Sequence, residues 1–334
     1  MWSHDNWLGL SAGTSVPSLN VTGLSQIPRY YIDIGSNGFT PSGATFNWAD
    51  GGSGAGSWLP VSLAGRYADS LHPGLVYAAR QTIVQANHNG GCQGVRRTPA
   101  VKGEKAPKSD GEPSCAIMLA DFDGRGTKED LEQLVASHSY EHTAVAVVRS
   151  SWTNNGVWFG MKGGDNSLQQ IGKGTTHTHA DQGSFVLDIA GTRWAEDLGA
   201  DSYGDYGYFS MQKFDWYAAS TAGHNTLSFS GLGQDACTDS FPALLRSDWL
   251  SGELSPIKTN STRCRSELKE FNASAGWGII NLADSYSLSG AKGVNRGIAL
   301  VRGRTERDDG MLVSRHAQLE LDCVAFPCIC IGLV

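Results

Sequence analysis

Two histidines one residue apart, His177 and His179, stand in the run Thr176-His-Thr-His-Ala-Asp-Gln-Gly-Ser-Phe-Val-Leu-Asp188. The run leads into an alternating apolar stretch that reads as a β-strand. Residues i and i+2 of a strand share a face, so both imidazoles are expected to converge on one place. Asp197 follows after a turn at Gly191, and His224 lies further on in Ser220-Thr-Ala-Gly-His-Asn-Thr-Leu227. Two neutral imidazoles and a carboxylate suit a tetrahedral zinc with one open or water-filled position. Spacing alone leaves this set open, because Asp181, two residues after His179, competes with Asp197 as the carboxylate. Neither a CxxC pair nor an HExxH helix adds support.

The flanks of the histidine run carry a resemblance. Val145-Ala-Val-Val-Arg-Ser-Ser-Trp152, Trp158-Phe-Gly-Met-Lys-Gly-Gly-Asp-Asn166, the run His177 to Asp188, Arg193-Trp-Ala-Glu-Asp-Leu-Gly199 and Gly223-His-Asn-Thr-Leu227 follow one another in order. Together they resemble the β-domain of the heparinase II/III-like polysaccharide lyases, over roughly residues 119–235. Asp121-Phe-Asp-Gly-Arg-Gly126 looks like the turn that precedes this region in the family. The resemblance implies that zinc is held by His179, Asp197 and His224, and that His177 faces the substrate cleft. It also implies a cleft tyrosine soon after the zinc aspartate. Tyr208 is the expected one, with Tyr203 and Tyr206 close by.

What such residues would do follows from the reaction. Elimination of a 4-O-linked sugar from a uronic acid removes a weakly acidic C5 proton. Neutralising the carboxylate stabilises the enolate-like transition state. A histidine or tyrosine within hydrogen-bond reach acts as base, and a second such group protonates the leaving oxygen. Zinc is expected to brace the sheet rather than activate water, because no hydrolysis occurs. An anionic polysaccharide is the implied partner. The rival expectation is a carbohydrate-binding or structural module of the same fold without a complete elimination site.

The resemblance implies α+β organisation: the C-terminal remnant of an (α/α) toroid, then an antiparallel β-sandwich. The expected limits are 1–118 for the partial toroid, 119–322 for the β-sandwich and 323–334 for an apolar tail. Trp58-Leu-Pro-Val-Ser-Leu-Ala-Gly-Arg-Tyr-Ala-Asp69 and Pro73-Gly-Leu-Val-Tyr-Ala-Ala-Arg80 carry apolar residues at helical spacing. Phe46-Asn-Trp-Ala-Asp-Gly51 is read with them as toroid. Catalytic groups that the family draws from earlier toroid helices have no counterpart, and Trp216-Tyr-Ala-Ala-Ser220 lacks an arginine that relatives often carry there. Thr127 to Ala136 reads as a short helix with an acidic first turn. Strands are expected over 143–150, 156–162, 183–190, 225–230, 276–282 and 297–303, an antiparallel pattern broken by glycine turns.

Composition bounds the partners. A net charge of −7 on 334 residues lacks the basic footprint of a nucleic-acid binder. An anionic substrate then needs a locally basic cleft, for which Arg149, Lys162, Lys173 and Arg193 are the candidates. Forty-two glycines point to many turns. The run Cys323 to Val334 is apolar but too short to span a bilayer. Seven cysteines and the sequons at Asn20, Asn260 and Asn272 fit an extracellular or secretory route, with Cys92–Cys115 and Cys237–Cys264 as plausible disulfides. Asp121 to Glu132 partly fits a calcium loop, yet Arg125 stands where an oxygen ligand is needed.

Overall fold

A computed structural model of the chain describes residues 23–35, 38–51, 58–88, 123–165, 177–208, 213–214, 216–229, 233–234, 243–245, 255–257, 265–289, 293–302 and 317–320. All seven cysteines, Asn20, Asn260, Lys173 and the segments 91–114 and 323–334 lie outside them. The chain divides into two compact units. One takes Met1–Tyr31 and Ser57–Leu131, the other Ile32–Gly56 and Glu132–Val334.

Helices precede sheets, which is the α+β order expected. Helix α1 spans Ile27–Asp33, α2 Trp58–Arg66, α3 Pro73–His88 and α4 Lys128–Gln133. Pro73 opens α3 at the position where its missing N–H costs nothing. Thr127 caps α4 reciprocally: its Oγ1 accepts from Asp130 N at 3.2 Å, while Asp130 Oδ2 accepts from Thr127 N at 2.8 Å. In the turn before it, the Asp123 carboxylate accepts from Arg125 N and Nε at 2.8 and 3.0 Å. That commits Asp123 to the turn and leaves the calcium-loop reading without support.

Twelve strands occur among the described residues: β1 His138–Tyr140, β2 Val145–Arg149, β3 Val157–Lys162, β4 Gly164–Asp165, β5 Phe185–Ile189, β6 Thr192–Ala195, β7 Ala243–Leu245, β8 Ser255–Ile257, β9 Arg265–Asn272, β10 Trp277–Asn281, β11 Asn295–Arg302 and β12 Ala317–Glu320. They form antiparallel sheets in the orders β1-β2-β3-β5-β6 and β12-β11-β10-β9-β4, with β7-β8 as a separate pair. Alternation along β2 explains the layering. Ala146 and Val148 join Phe159, Met161 and Leu187 against Ile280, Ile298 and Leu300 of the second sheet. Val145 and Val147 face the other way, with Trp158 and Val186, onto Phe46. A sheet covered on both faces needs apolar residues at every position, and β2 is buried throughout.

The second cover comes from Ile34, Phe46 and Trp48, whose segment clusters with the sheets and not with the helices. Trp158 Nε1 donates to Asp33 O at 3.1 Å. Buried Asp188 accepts from Ser42 Oγ at 2.5 Å and from Arg193 Nε. Of the strand expected over 225–230, the described residues 225–229 form only a bridge at Phe229. Asn225 Nδ2 donates to Phe185 O and Glu196 O at 2.9 Å, and Thr226 Oγ1 donates to Gln182 O at 2.6 Å. Side chains spent on bonding other segments hold 224–229 as bends with a single bridge at Phe229.

Phe159 is fully buried between the sheets, whereas Trp194 is 64% exposed. Phe159→Ala is expected to cost about 3–5 kcal/mol in urea unfolding, and Trp194→Ala no more than about 0.5 kcal/mol.

Candidate functional site

The two histidines do not lie on the strand. His177 to Ser184 forms an extended stretch and turn that ends where β5 begins at Phe185. Gly183 sits in that turn at φ +79°, and a Cβ there would meet Leu282 Cδ1 at 2.6 Å. Both imidazoles nevertheless reach one group, the carboxylate of Asp50. His177 Nδ1 lies 2.7 Å from Oδ2, and His179 Nε2 lies 2.7 Å from Oδ1. Tyr208 Oη and Lys213 Nζ donate to Oδ1 at 2.5 and 2.8 Å. The side chain of Asp50 is only 4% exposed.

The turn that carries Asp50 is anchored from both sides. Gly51 N donates to Trp48 O, and Asp50 N to His177 O. Ala49, at φ +52°, donates its N–H to Asp181 Oδ2 at 3.1 Å. Lys162 of β3 pairs with the other oxygen of Asp181. Asn47 Nδ2 donates to Asp197 O at 2.8 Å. Asp181 is thereby tied into the scaffold.

Burial differs between the two histidines. The side chain of His177 is 55% exposed and that of His179 is fully buried. Burial lowers the His179 pKa to about 4, with Lys213 and His224 adding to the effect against the pull of Asp181 and Asp50. His179 is neutral at physiological pH, the form that binds metals. Burial pushes Asp50 up, but hydrogen bonds from Lys213, Tyr208 and His179 outweigh it and hold the carboxyl below its usual range. Burial likewise opposes the ionisation of Asp197, and bonds from His224 and Ser184 overcome it. Lys213 is lowered by burial against the stabilising charge of Asp50. Tyr208 is raised well above the ordinary phenol value by burial and by Asp50, so it remains protonated.

The expected zinc residues come together in part. His179 and His224 rings are 5.2 Å apart between centroids. His224 Nδ1 lies 2.9 Å from Asp197 Oδ2, which also accepts from Ser184 Oγ at 2.7 Å. Gly223 allows this approach, since a Cβ there would stand 2.1 Å from Tyr217 O. Among the described residues, no three His, Cys, Asp or Glu side chains already form a metal-type group. Two buried nitrogens, His179 Nδ1 and His224 Nε2, make no hydrogen bond. Orphaned polar atoms in a dry interior are costly, and these two are imidazole nitrogens of the kind a zinc ion takes. Two of the three expected zinc residues thus present an open nitrogen, while Asp197 is bonded to His224, Ser184 and Gly199.

Of the nearby tyrosines, Tyr208 is buried against Asp50, while Tyr203 is half exposed with Oη 3.3 Å from His177 Nδ1. Tyr206 is largely exposed. The three expected basic residues that are described are engaged by other groups. Arg149 is buried, donating to Phe39 O and lying over the Trp152 ring. Lys162 is paired with Asp181, and Arg193 with Asp188. Sequence reading missed Asp50 and Lys213. Asp50 sits in a motif that was quoted, but its distance in sequence from the histidines gave no signal.

The region that holds the histidines, the tyrosines and Lys213, though not Asp50, matches a known family. Residues 137–277 match the model described as "Heparinase II/III-like, C-terminal". Over those residues the chain is similar to a heparinase II/III-like C-terminal domain. No curated protein matches the chain. Among solved structures, one titled "Heparinase III-BT4657 gene product" is 12% identical with a TM-score of 0.44, covering 93% of this chain and 34% of its own. Heparan sulfate lyase HepC from Pedobacter heparinus, as a mutant, is 13% identical with a TM-score of 0.44, covering 92% and 36%. The chain thus spans about a third of the length of these structures.

Metal analysis after dialysis against zinc tests the two orphaned nitrogens: uptake by the wild type that is lost in His179→Ala and kept in His177→Ala is the expected outcome. In metal-free protein, the unfolded state takes up a proton at His179 below about pH 6.5 and the folded state only near pH 4. Stability is therefore present above that window and falls as pH drops through it. From pH 7 to pH 5 the loss should be about 2 kcal/mol in urea unfolding, and it should vanish in His179→Gln.

Proposed function

We propose that the chain is a polysaccharide lyase that cleaves a uronic-acid polymer by β-elimination, with zinc as a structural ion. One observation carries the reading: an exposed imidazole, His177, held at Nδ1 by a buried carboxylate beside a half-exposed phenol, Tyr203. A carboxylate on Nδ1–H leaves Nε2 as a lone pair directed away from it, the arrangement of a general base.

In the elimination, His177 Nε2 takes the C5 proton of the uronate. The electron pair forms the C4–C5 double bond, and the C4–O bond breaks. A protonated phenol then supplies the proton to the leaving oxygen. Tyr203 is placed for this by its exposure, and its ionisation is opposed by burial and by Asp50. Tyr208, bonded to Asp50 beneath it with ring centroids 5.1 Å apart, supports that proton balance from inside. When bound, zinc supplies a rigid cross-link between His179, His224 and the Asp197 region. The uronate carboxylate still needs neutralising, since Arg149, Lys162 and Arg193 are engaged elsewhere.

The test is incubation of the full chain with a panel of alginate, heparan sulfate and other polyuronates, following the ultraviolet absorbance of unsaturated uronate. Turnover on at least one polymer is expected, with His177→Ala lowering kcat by at least about 100-fold while retaining zinc. Binding to a polyuronate without any unsaturated product would make the chain a carbohydrate-binding module instead. A secreted location accompanies the lyase reading, because such polymers are extracellular.

A further inference from the structure

We propose that Asp50 is a positioning residue that sets the tautomer of His177 and His179 at once, and so joins the metal-side imidazole to the cleft imidazole. The inference rests on the reading of His179 as a metal ligand and His177 as the cleft base, and it adds the group that makes both possible.

An ionised carboxylate can only accept hydrogen bonds. Every contact at Asp50 therefore places a hydrogen on the other partner. Oδ2 requires His177 to carry its hydrogen on Nδ1, at 2.7 Å. Oδ1 requires His179 to carry its hydrogen on Nε2, also at 2.7 Å. The two histidines are thus held in opposite tautomers by opposite oxygens of one side chain. Each consequence matches the environment. His177 presents Nε2 away from the carboxylate, and its side chain is 55% exposed. His179 presents Nδ1 inward, where that nitrogen is buried and makes no hydrogen bond. Swapping either tautomer would place a lone pair against a carboxylate oxygen.

Lys213 completes the device. Its side chain is fully buried and its Nζ lies 2.8 Å from Oδ1, keeping the carboxylate charged in a dry site. Nζ is also 4.5 Å from the Tyr208 ring centroid. A metal on His179 Nδ1 polarises Nε2–H and strengthens its bond to Oδ1. Carboxylate–histidine pairs of this kind orient metal ligands and raise their basicity. Here the same carboxylate extends to a second histidine on the solvent side, so the metal side and the cleft share one acceptor.

The decisive measurement is nitrogen-15 NMR of histidine-labelled protein, metal-free and with zinc alone, at about pH 8 where unperturbed imidazoles are neutral. His177 should be the Nδ1–H tautomer and His179 the Nε2–H tautomer, and zinc should shift the His179 Nδ1 resonance. In Asp50→Asn the amide keeps its oxygen towards the three donors at Oδ1 and turns its NH2 towards His177. His177 should then change to Nε2–H while His179 does not. Zinc should still bind, about 10–100-fold more weakly. Tyr208→Phe removes one donor and should leave both tautomers unchanged. His177 as Nε2–H in the wild type, or unchanged in Asp50→Asn, overturns the inference. Should Asp50→Asn fail to fold, the wild-type spectrum alone decides. Correct tautomers in a protein that releases no unsaturated uronate would keep this inference and reject the lyase.

Discussion

A carboxylate withdrawn from water has to be surrounded by donors, and the geometry of Asp50 dictates much of the surrounding structure. Its oxygens accept from the 177–179 stretch, from Tyr208 and from Lys213. Each lies on a separate piece of chain, so satisfying one charge fixes several loops relative to one another. Lys213 supplies the opposite charge in the same dry place. A buried pair of this sort gains little net stability, but losing either partner leaves the other uncompensated. Such a constraint favours specificity of arrangement over strength, which is what a site assembled from loops requires.

The sheets explain why loops can be placed so closely. Strands β2 and β3 are covered on both faces, one by the second sheet and one by Ile34, Phe46 and Trp48. Their segment leads into the turn carrying Asp50. Lys162, the last residue of β3, holds Asp181, and Asp181 holds Ala49. Asn47 reaches the backbone of Asp197. The route from apolar core to polar site is therefore short: strand, ion pair, turn, carboxylate. Position is inherited from packing, while chemistry is added by residues at the edges of the packed layer.

Which parts of this were legible follows from how each residue signals itself. The histidine run, Asp197 and His224 could be found because they fall in ordered blocks with a family resemblance. The strands from 145 to 189 could be found because burial on both faces leaves continuous apolar runs. Asp50 could not, since an aspartate before glycine reads as an ordinary turn and its partners are distant in sequence. Lys213 reads as a solvated surface lysine, yet it is fully buried. Arg149 and Arg193 looked like substrate contacts because composition says nothing about which backbone carbonyls they will reach. The alternation at 225–230 has strand period, but Asn225 and Thr226 bond to other segments, and tertiary hydrogen bonds overrode the pattern.

The distribution of exposure divides the site into two jobs. His179, His224 and Asp197 have no exposed side-chain surface. A metal bound there would be walled off from solvent, so its contribution would be to hold segments together. His177 and Tyr203 reach solvent, and neither is one of the expected zinc residues. A ligand too large to enter the interior can meet only this second group. The chemistry of the outer pair then depends on inner residues it never exposes, because the hydrogen on His177 Nδ1 is dictated by a carboxylate whose charge is maintained by a buried lysine. Keeping the outer residues alone would not keep this arrangement; the inner charge pair is part of it.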